Sequence, residues 1–207
     1  MRITKYEHSC VVIEEQGRHL VIDPGKFSHA FEPSDTIDCV IITHVHSDHF
    51  DVNILNSIKT LNPDVMICST AQVAEQAQEL GIEVVDANRS CTHGPFHASF
   101  YGGQHELYEG FSNIGVLVND VFYYPGDSYT QPGKAVKILG APASAPWLRV
   151  TEASQFIKDC SADRVIPMHN ALLSDEGKEV HYRILSAAAK ESGSEWSALE
   201  IGQSLEA

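Results

Sequence analysis

The feature that most narrows what this chain can fold into is a junction: a short β-branched apolar run that stops on imidazoles and a carboxylate. Residues 38–42 (Asp-Cys-Val-Ile-Ile) read as a buried strand, and Thr-His-Val-His-Ser-Asp-His follows at 43–49. His44, His46, Asp48 and His49 form an H-x-H-x-D-H pattern at the point where the strand ends. Imidazole nitrogen and carboxylate oxygen are the usual ligands of zinc and other first-row divalent ions. In an extended segment residues two apart point the same way, so His44, His46 and Asp48 can share one side. Four such groups this close cannot all chelate one ion. Either a second ion is present or other parts of the chain complete the site. In open α/β folds ligands collect at the carboxyl ends of strands, which is where this cluster stands.

The same junction returns in the second half of the sequence. His105 follows the strand-like run 96–101 through Gly102-Gly103, where glycine permits close backbone approach. Asp127 follows 121–124 in Pro-Gly-Asp-Ser, and His169 follows 164–166 in Ile-Pro-Met-His. Cys91, His93 and His97 form a competing small cluster. His97 sits within an expected strand and His93 in a Gly-Pro loop, so His105 is the preferred candidate.

Residues 2–7, 10–14 and 19–23 read as strands of a β-meander, and 26–37 as a loop. Strand 38–42, helix 51–60, strand 65–68, helix 71–80 and strand 82–85 alternate, which predicts parallel strands with crossover helices. Thr70 is the expected N-cap of the second helix. A second meander (96–101, 114–118, 121–124) leads into strand 134–139, helix 151–158, strand 164–166, helix 176–190 and strand 196–200. Meander and βα units thus occur twice. The expectation is one α/β domain, 1–207, built from two similar halves (about 1–95 and 96–207). Two mixed β-sheets would pack face to face with helices on the outer faces, a four-layer αββα sandwich.

The 207 residues suffice for one substantial core. The net charge of −14, from 14 basic and 28 acidic residues, argues against a nucleic-acid partner. Five scattered cysteines without a CxxC pair fit buried small hydrophobes in a reducing cytosol rather than a disulfide framework. No apolar leader follows Met1, and no apolar run approaches the ~20 residues of a membrane span. The expected setting is cytoplasmic, with a small-molecule substrate and no membrane partner; a homo-oligomer stays open.

H-x-H-x-D-H, a distant histidine, Gly-Asp-Ser and Ile-Pro-Met-His together resemble the metallo-β-lactamase-fold hydrolase superfamily. Tyr6-Glu7-His8-Ser9 and Ile22-Asp23-Pro24-Gly25 are similar to its compact lactonase-like members, which include the ascorbate-6-phosphate lactonases. The resemblance covers nearly the whole chain. It implies two divalent ions, zinc first, with manganese or iron as alternatives. His44, His46 and His105 would hold one ion, Asp48, His49 and His169 the other, and Asp127 would bridge them. A water or hydroxide between the ions would attack a small ester, lactone or phosphoester, its pKa brought from 15.7 to about 7. Asp48 would also orient that water or take its proton.

Two other functions compete. One is an iron-dependent redox enzyme on the same scaffold; relatives of that type tend to carry glutamate where this chain has His46, which favours hydrolysis. The other is a non-catalytic metal-binding protein, whose site would be closed by protein ligands. Asp23 is either a carboxylate behind a ligand imidazole or the first residue of an Asp-Pro-Gly turn. His8 is read as a core histidine ahead of a pocket residue, and Trp147 as a seal on a helix start ahead of a pocket wall. Leu172 and Leu173 either line the mouth or cap the core. Ser128 has no triad-like partner and is not read as a nucleophile.

Overall fold

A computed structural model describes residues 1–79, 81–87 and 90–207. The chain runs β1 (Arg2–Lys5), β2 (Val11–Glu15), β3 (Arg18–Ile22), β4 (Ile37–Ile41), α1 (Val52–Leu61), β5 (Met66–Ser69), α2 (Ala71–Gln78) and β6 (Val85–Asp86). It continues with β7 (Ser90–His93), β8 (Phe96–Gly102), β9 (Ile114–Val118), β10 (Phe122–Tyr124), β11 (Ile138–Pro142), α3 (Val150–Cys160), β12 (Arg164–Met168), α4 (Asp175–Glu191), β13 (Glu195–Trp196) and β14 (Ser204–Glu206). They build two seven-stranded sheets, ordered β14-β1-β2-β3-β4-β5-β6 and β13-β12-β11-β10-β9-β8-β7.

Both sheets follow one pairing rule. From β14 to β3 and from β7 to β10 neighbours are antiparallel; from β3 to β6 and from β10 to β13 they are parallel. The parallel part needs crossovers: α1 to α4 supply four of them, and the helix-free segments 23–36 and 125–137 link β3 to β4 and β10 to β11.

The layers follow from the two-residue period of the strands. Leu20, Ile22, Cys39 and Ile41 face inward, where they meet Phe122, Tyr124, Ile166 and Met168 of the other sheet. The alternate residues Val21, Val40 and Ile42 face outward, against Leu55 and Ile58 of α1 and Val73 and Ala77 of α2. On the far side Tyr123, Leu139 and Val165 pack on Phe156 and Ile157 of α3 and Leu185 and Ala189 of α4. Three apolar layers between four structural layers give the expected αββα sandwich. Asp51, Thr70 and Ser174 cap α1, α2 and α4 by accepting N–H groups of the first turn.

Several boundaries differ from expectation. The strand expected at 134–139 is β11, Ile138–Pro142, which runs through Gly140 and ends on Pro142. A Cβ on Gly140 would stand 3.1 Å from both Met168 Cγ and Phe122 Cζ, so glycine fits this packed position although it reads as a breaker. The strands expected at 82–85 and 196–200 shrink to the two-residue β6 and β13. His93 lies on a strand, β7, rather than in a loop. Leu80, the last residue of the helix expected at 71–80, lies outside the described residues. Among the described residues no helix is long and apolar enough to cross a membrane.

Candidate metal centre

In the first sheet β1, β3 and β4 run the same way, and in the second β8, β10, β11 and β12 do, because of their pairing. The carboxyl ends of these strands meet at one edge of the sandwich. Their loops carry His8, Asp23, residues 44–49, His105, Asp127, Trp147 and His169. His8, Asp23 and His169 have left-handed φ values of 55°, 48° and 55°, a conformation that costs a non-glycine residue about 1–3 kcal/mol. Backbone bonds hold them there: His169 N–H donates to His8 O at 2.8 Å and Asp23 N–H to Ile41 O at 3.0 Å.

Asp23 is the anchor of the 43–49 loop. Its fully buried carboxylate accepts from Thr43 N–H (2.7 Å), Thr43 O–H (2.7 Å) and His49 Nδ1–H (2.6 Å). Of its two readings, the structure realises the carboxylate behind an imidazole. With Nδ1 protonated, the lone pair of His49 lies on Nε2. Burial pushes the Asp23 carboxyl up, opposed by His49 and Thr43.

Asp127 stands among the histidines with one oxygen toward each set. Oδ2 lies 3.4 Å from His105 Nε2 and 3.9 Å from His44 Nε2. Oδ1 lies 3.2 Å from His49 Nε2 and 3.3 Å from His169 Nε2. His44 Nε2 and His46 Nδ1 are 3.0 Å apart, and Asp48 Oδ2 is 3.4 Å from His169 Nε2. Ligand atoms bound about 2.0–2.1 Å from one tetrahedral ion stand ~3.3 Å from each other, and these spacings straddle that value. The ligand atoms of His44, His46, His105 and Asp127 lie within 4.8 Å of one another, as do those of His8, Asp48, His49 and His169.

The donor chemistry fits metal as well. His49 Nε2, His105 Nε2, His169 Nε2 and Asp127 Oδ1 are buried without a hydrogen-bond partner, a costly arrangement unless an ion satisfies them. Burial, aided by the adjacent His49, holds His44 well below the usual imidazole range, so its lone pair is available. Burial alone would raise the Asp127 carboxyl, but positive charge on His49 and then His169 outweighs it. Against the burial of His49, Asp127 and Asp23 in turn raise it well above the usual imidazole range, so an ion bound at Nε2 would displace that proton and supply the charge instead. His169 Nδ1–H donates to Ser144 O at 2.5 Å, which leaves Nε2 free. His105 is the exception. Its Nδ1 accepts Leu107 N–H at 3.0 Å, which places the proton on Nε2; coordination through Nε2 requires the other tautomer and the release of that bond.

His8 is more than the core histidine expected. It accepts Ala171 N–H at Nδ1 (3.2 Å), so Nε2 carries the proton and donates to Asp48 Oδ2 at 3.0 Å. It thus fixes a carboxylate rather than offering a lone pair. Burial pushes its pKa down to about 4, the Asp48 bond notwithstanding, and it remains neutral. Trp147 is a pocket wall, not a helix seal: Nε1–H donates to Asp127 Oδ2 at 2.8 Å, and α3 starts three residues later. Leu172 lines the mouth and is 60% exposed. Ser128 donates to Pro125 O and accepts Thr130 N–H, which makes it a staple of its own turn. The junction rule places His8 at the site, since it follows the first strand as His105 follows β8, but its role depends on Ala171 and Asp48.

The centre forms the floor of a cavity of about 320 Å³ that opens to solvent. Asp23→Asn is expected to weaken an ion held through His49 by about 10–100-fold, the usual cost of losing a carboxylate behind a ligand imidazole. Competition with a chromophoric chelator measures this; wild-type affinity in the variant would reduce Asp23 to a turn residue.

Residues 2–169 match the family model described as Beta-lactamase superfamily domain. Protein Rv0786c of Mycobacterium tuberculosis is 30% identical over 191 residues, 88% of this chain and 90% of its own length. A UPF0173 metal-dependent hydrolase of Nanoarchaeum equitans is 30% identical over 129 residues, 62% of this chain and 50% of its own. Among solved structures, the metallo hydrolase Igni18 of Ignicoccus hospitalis superposes with a TM-score of 0.75 at 17% identity, over 99% of this chain and 97% of that one. The metallo-beta-lactamase fold protein YhfI of Bacillus subtilis gives 0.73 at 18%, over 100% and 98%. At such identities these two speak to the fold, while the family model and the mycobacterial relative speak to descent: the chain belongs to the beta-lactamase superfamily.

Proposed function

We propose that the protein is a metal-dependent hydrolase that holds two divalent ions. His44, His46 and His105 would bind one, Asp48, His49 and His169 the other, and Asp127 both. The observation that carries this reading is the Asp127 carboxylate, which turns one oxygen to each histidine set at the floor of an open cavity. A structural ion would be enclosed by protein; here the floor faces solvent space large enough for a small substrate. When bound, such ions supply a hydroxide nucleophile at neutral pH and polarise the group under attack. The chain's own contribution is positional. Asp48, held by His8, faces the cavity with a carboxylate that orients water and accepts its proton. Trp147 fixes the Asp127 carboxylate and His8 that of Asp48. Zinc is the first candidate and manganese or iron the alternatives, since His-rich, carboxylate-bridged sites suit all three.

We also read residues 1–207 as one domain of two similar halves, about 1–95 and 96–207. Supporting this, the sheets share a pairing order. β1 and β8 each lead to a site histidine, His8 and His105, and β3 and β10 each to a site aspartate, Asp23 and Asp127. β14 crosses back to pair with β1 and ties the halves together.

Metal analysis of purified protein is expected to find about two equivalents, with hydrolysis of a lactone, phosphodiester or thioester panel lost on chelation and restored by the ion. Unchanged metal content in His44→Ala would sink the ligand assignment.

A further inference from the structure

The cavity over the candidate centre has a polar floor, an apolar rim and, among the described residues, no lysine or arginine. Its floor is His46, Asp48, His105, Asp127 and His169. Its rim is Leu107, Tyr108 and Phe111 from the 105–111 loop, Trp147 from the loop after β11, and Leu172 from the loop after β12. Leu107, Tyr108, Phe111 and Leu172 are 48%, 47%, 39% and 60% exposed. Among the described residues the other large apolar side chains this exposed are Leu61, Val85, Val180 and Ile201, so half of that set ring this one mouth. A concentration of exposed apolar surface around a polar floor marks a binding site.

The rim is preorganised. Gln72 of α2 donates to Gly110 O at 2.8 Å and accepts Ser112 N–H at 2.7 Å. His105 N–H donates to Phe111 O at 2.9 Å and Glu106 N–H to Asp127 O at 3.0 Å, which fastens the same loop to the floor. The electrostatics are one-sided. Among the described residues no lysine or arginine lines the cavity, and the rim loop adds exposed Glu106 and Glu109. An anionic group away from the reacting centre would meet carboxylates and lose its hydration without gaining a donor.

Resting on the hydrolase reading above, we propose that the substrate is an acyl ester or lactone whose non-reacting arm is apolar and carries no anionic group. This sets aside phosphorylated lactones and other substrates with a charged tail. In the reaction water adds across the acyl C–O bond. The acyl carbon gains hydroxyl, that bond breaks, and the departing oxygen takes the proton that water gave up. An ester yields acid and alcohol, and a lactone a single hydroxy acid.

The test uses the full chain with zinc or manganese added and p-nitrophenyl esters that share one reacting centre. From acetate through butyrate to hexanoate, kcat/KM is expected to rise about fourfold per methylene while the arm stays within the rim. The adipate monoester, equal in arm length but ending in carboxylate, is expected to fall roughly tenfold or more below hexanoate. Leu172→Ala should flatten the length dependence, and Leu172→Lys should raise adipate relative to hexanoate. A binding readout independent of turnover is the fluorescence of Trp147 in a Trp196→Phe background, titrated with N-hexyl-2-pyrrolidinone and its ω-carboxylate analogue. Adipate turned over as well as hexanoate, or a flat length series, overturns the substrate class and leaves the hydrolase reading standing. Lactam binding that favours the neutral arm, with neither the esters nor the lactone, phosphodiester and thioester panel hydrolysed, supports the apolar-arm site and overturns the hydrolase reading. Equal or absent binding of both lactams overturns the inference.

Discussion

Asp127→Ala is expected to lose both ions at once, whereas Asp48→Ala loses one. The asymmetry follows from where the carboxylate oxygens point. Asp127 Oδ2 lies 3.4 Å from His105 Nε2 and Oδ1 3.2 Å from His49 Nε2, so a single side chain serves both sets. Asp48 Oδ2, which accepts from His8 at 3.0 Å, approaches the proposed ligands of one set alone, His49 and His169, at 3.7 and 3.4 Å. Losing even an outer partner of a metal ligand costs about 10–100-fold in affinity, so a ligand shared by two ions should cost ~10²–10⁴ in joint occupancy. Added metal at a hundred times its Kd stabilises the native state by about 2.7 kcal/mol per site. For a chain of this length that is a rise in Tm of roughly 5–10 °C per site. Wild type should show this rise and Asp127→Ala should show almost none. Asp127→Asn keeps an acceptor for Trp147 Nε1–H and the side-chain shape, so a matching loss there assigns the effect to charge and ligation rather than packing. Metal analysis and thermal melts with and without ion check the result. One equivalent retained at wild-type affinity in Asp127→Ala would show that the two sets do not share this carboxylate.

The fold and the residues that converge were legible in the sequence for one reason. A buried strand has a dense apolar signature, and a polar ligand-type residue directly after it stands out against that background. His44, His46, Asp48, His49, His105, Asp127 and His169 all follow such a run, and all meet at one edge of the sandwich. What was not legible depends on neighbours far along the chain. The role of Asp23 is decided by His49, 26 positions away, and nothing in Asp-Pro-Gly distinguishes a turn from an anchor. His8 required knowing that β1 ends beside β12, so that Ala171 and Asp48 take its two nitrogens. β7 and β14 carry too few apolar residues to announce themselves; as edge strands they are strands because β8 and β1 offer open ladders. β11 was displaced because Gly140 and Pro142 have poor strand propensity, and packing against Met168 and Phe122 overrides it.

Gly25→Ala should disrupt the centre from outside the ligand set. A Cβ at Gly25 would stand 2.1 Å from both the carbonyl carbon and oxygen of Asp48 and 2.4 Å from His49 N. Ordinary contact begins at 3.4 Å. All three neighbours are backbone, so no rotamer change relieves the clash. The segment is pinned on both sides: Gly25 N–H donates to Asp23 O at 2.8 Å and Lys26 N–H to Ser47 O at 2.7 Å. Adding the methyl must therefore drive Asp48 and His49 away from Asp23 by about an ångström, the scale of misplacement that can cost 10²-fold in rate. Overpacking of this kind costs about 1–3 kcal/mol, or roughly 2–12 °C in Tm for a chain of this size. Gly25 does not use a left-handed φ, so the effect is purely steric. Gly133→Ala is the matched control: φ is +67° and nothing lies within 4 Å of the added methyl. It should cost about 1–2 kcal/mol of backbone strain with metal affinity unchanged. The separating measurement is therefore affinity rather than Tm. Gly25→Ala should lower the affinity of the Asp48–His49 ion by at least the ~10-fold of a lost outer partner. If both variants bind metal as the wild type does, the close approach of residues 25 and 48 does not set the geometry of the centre.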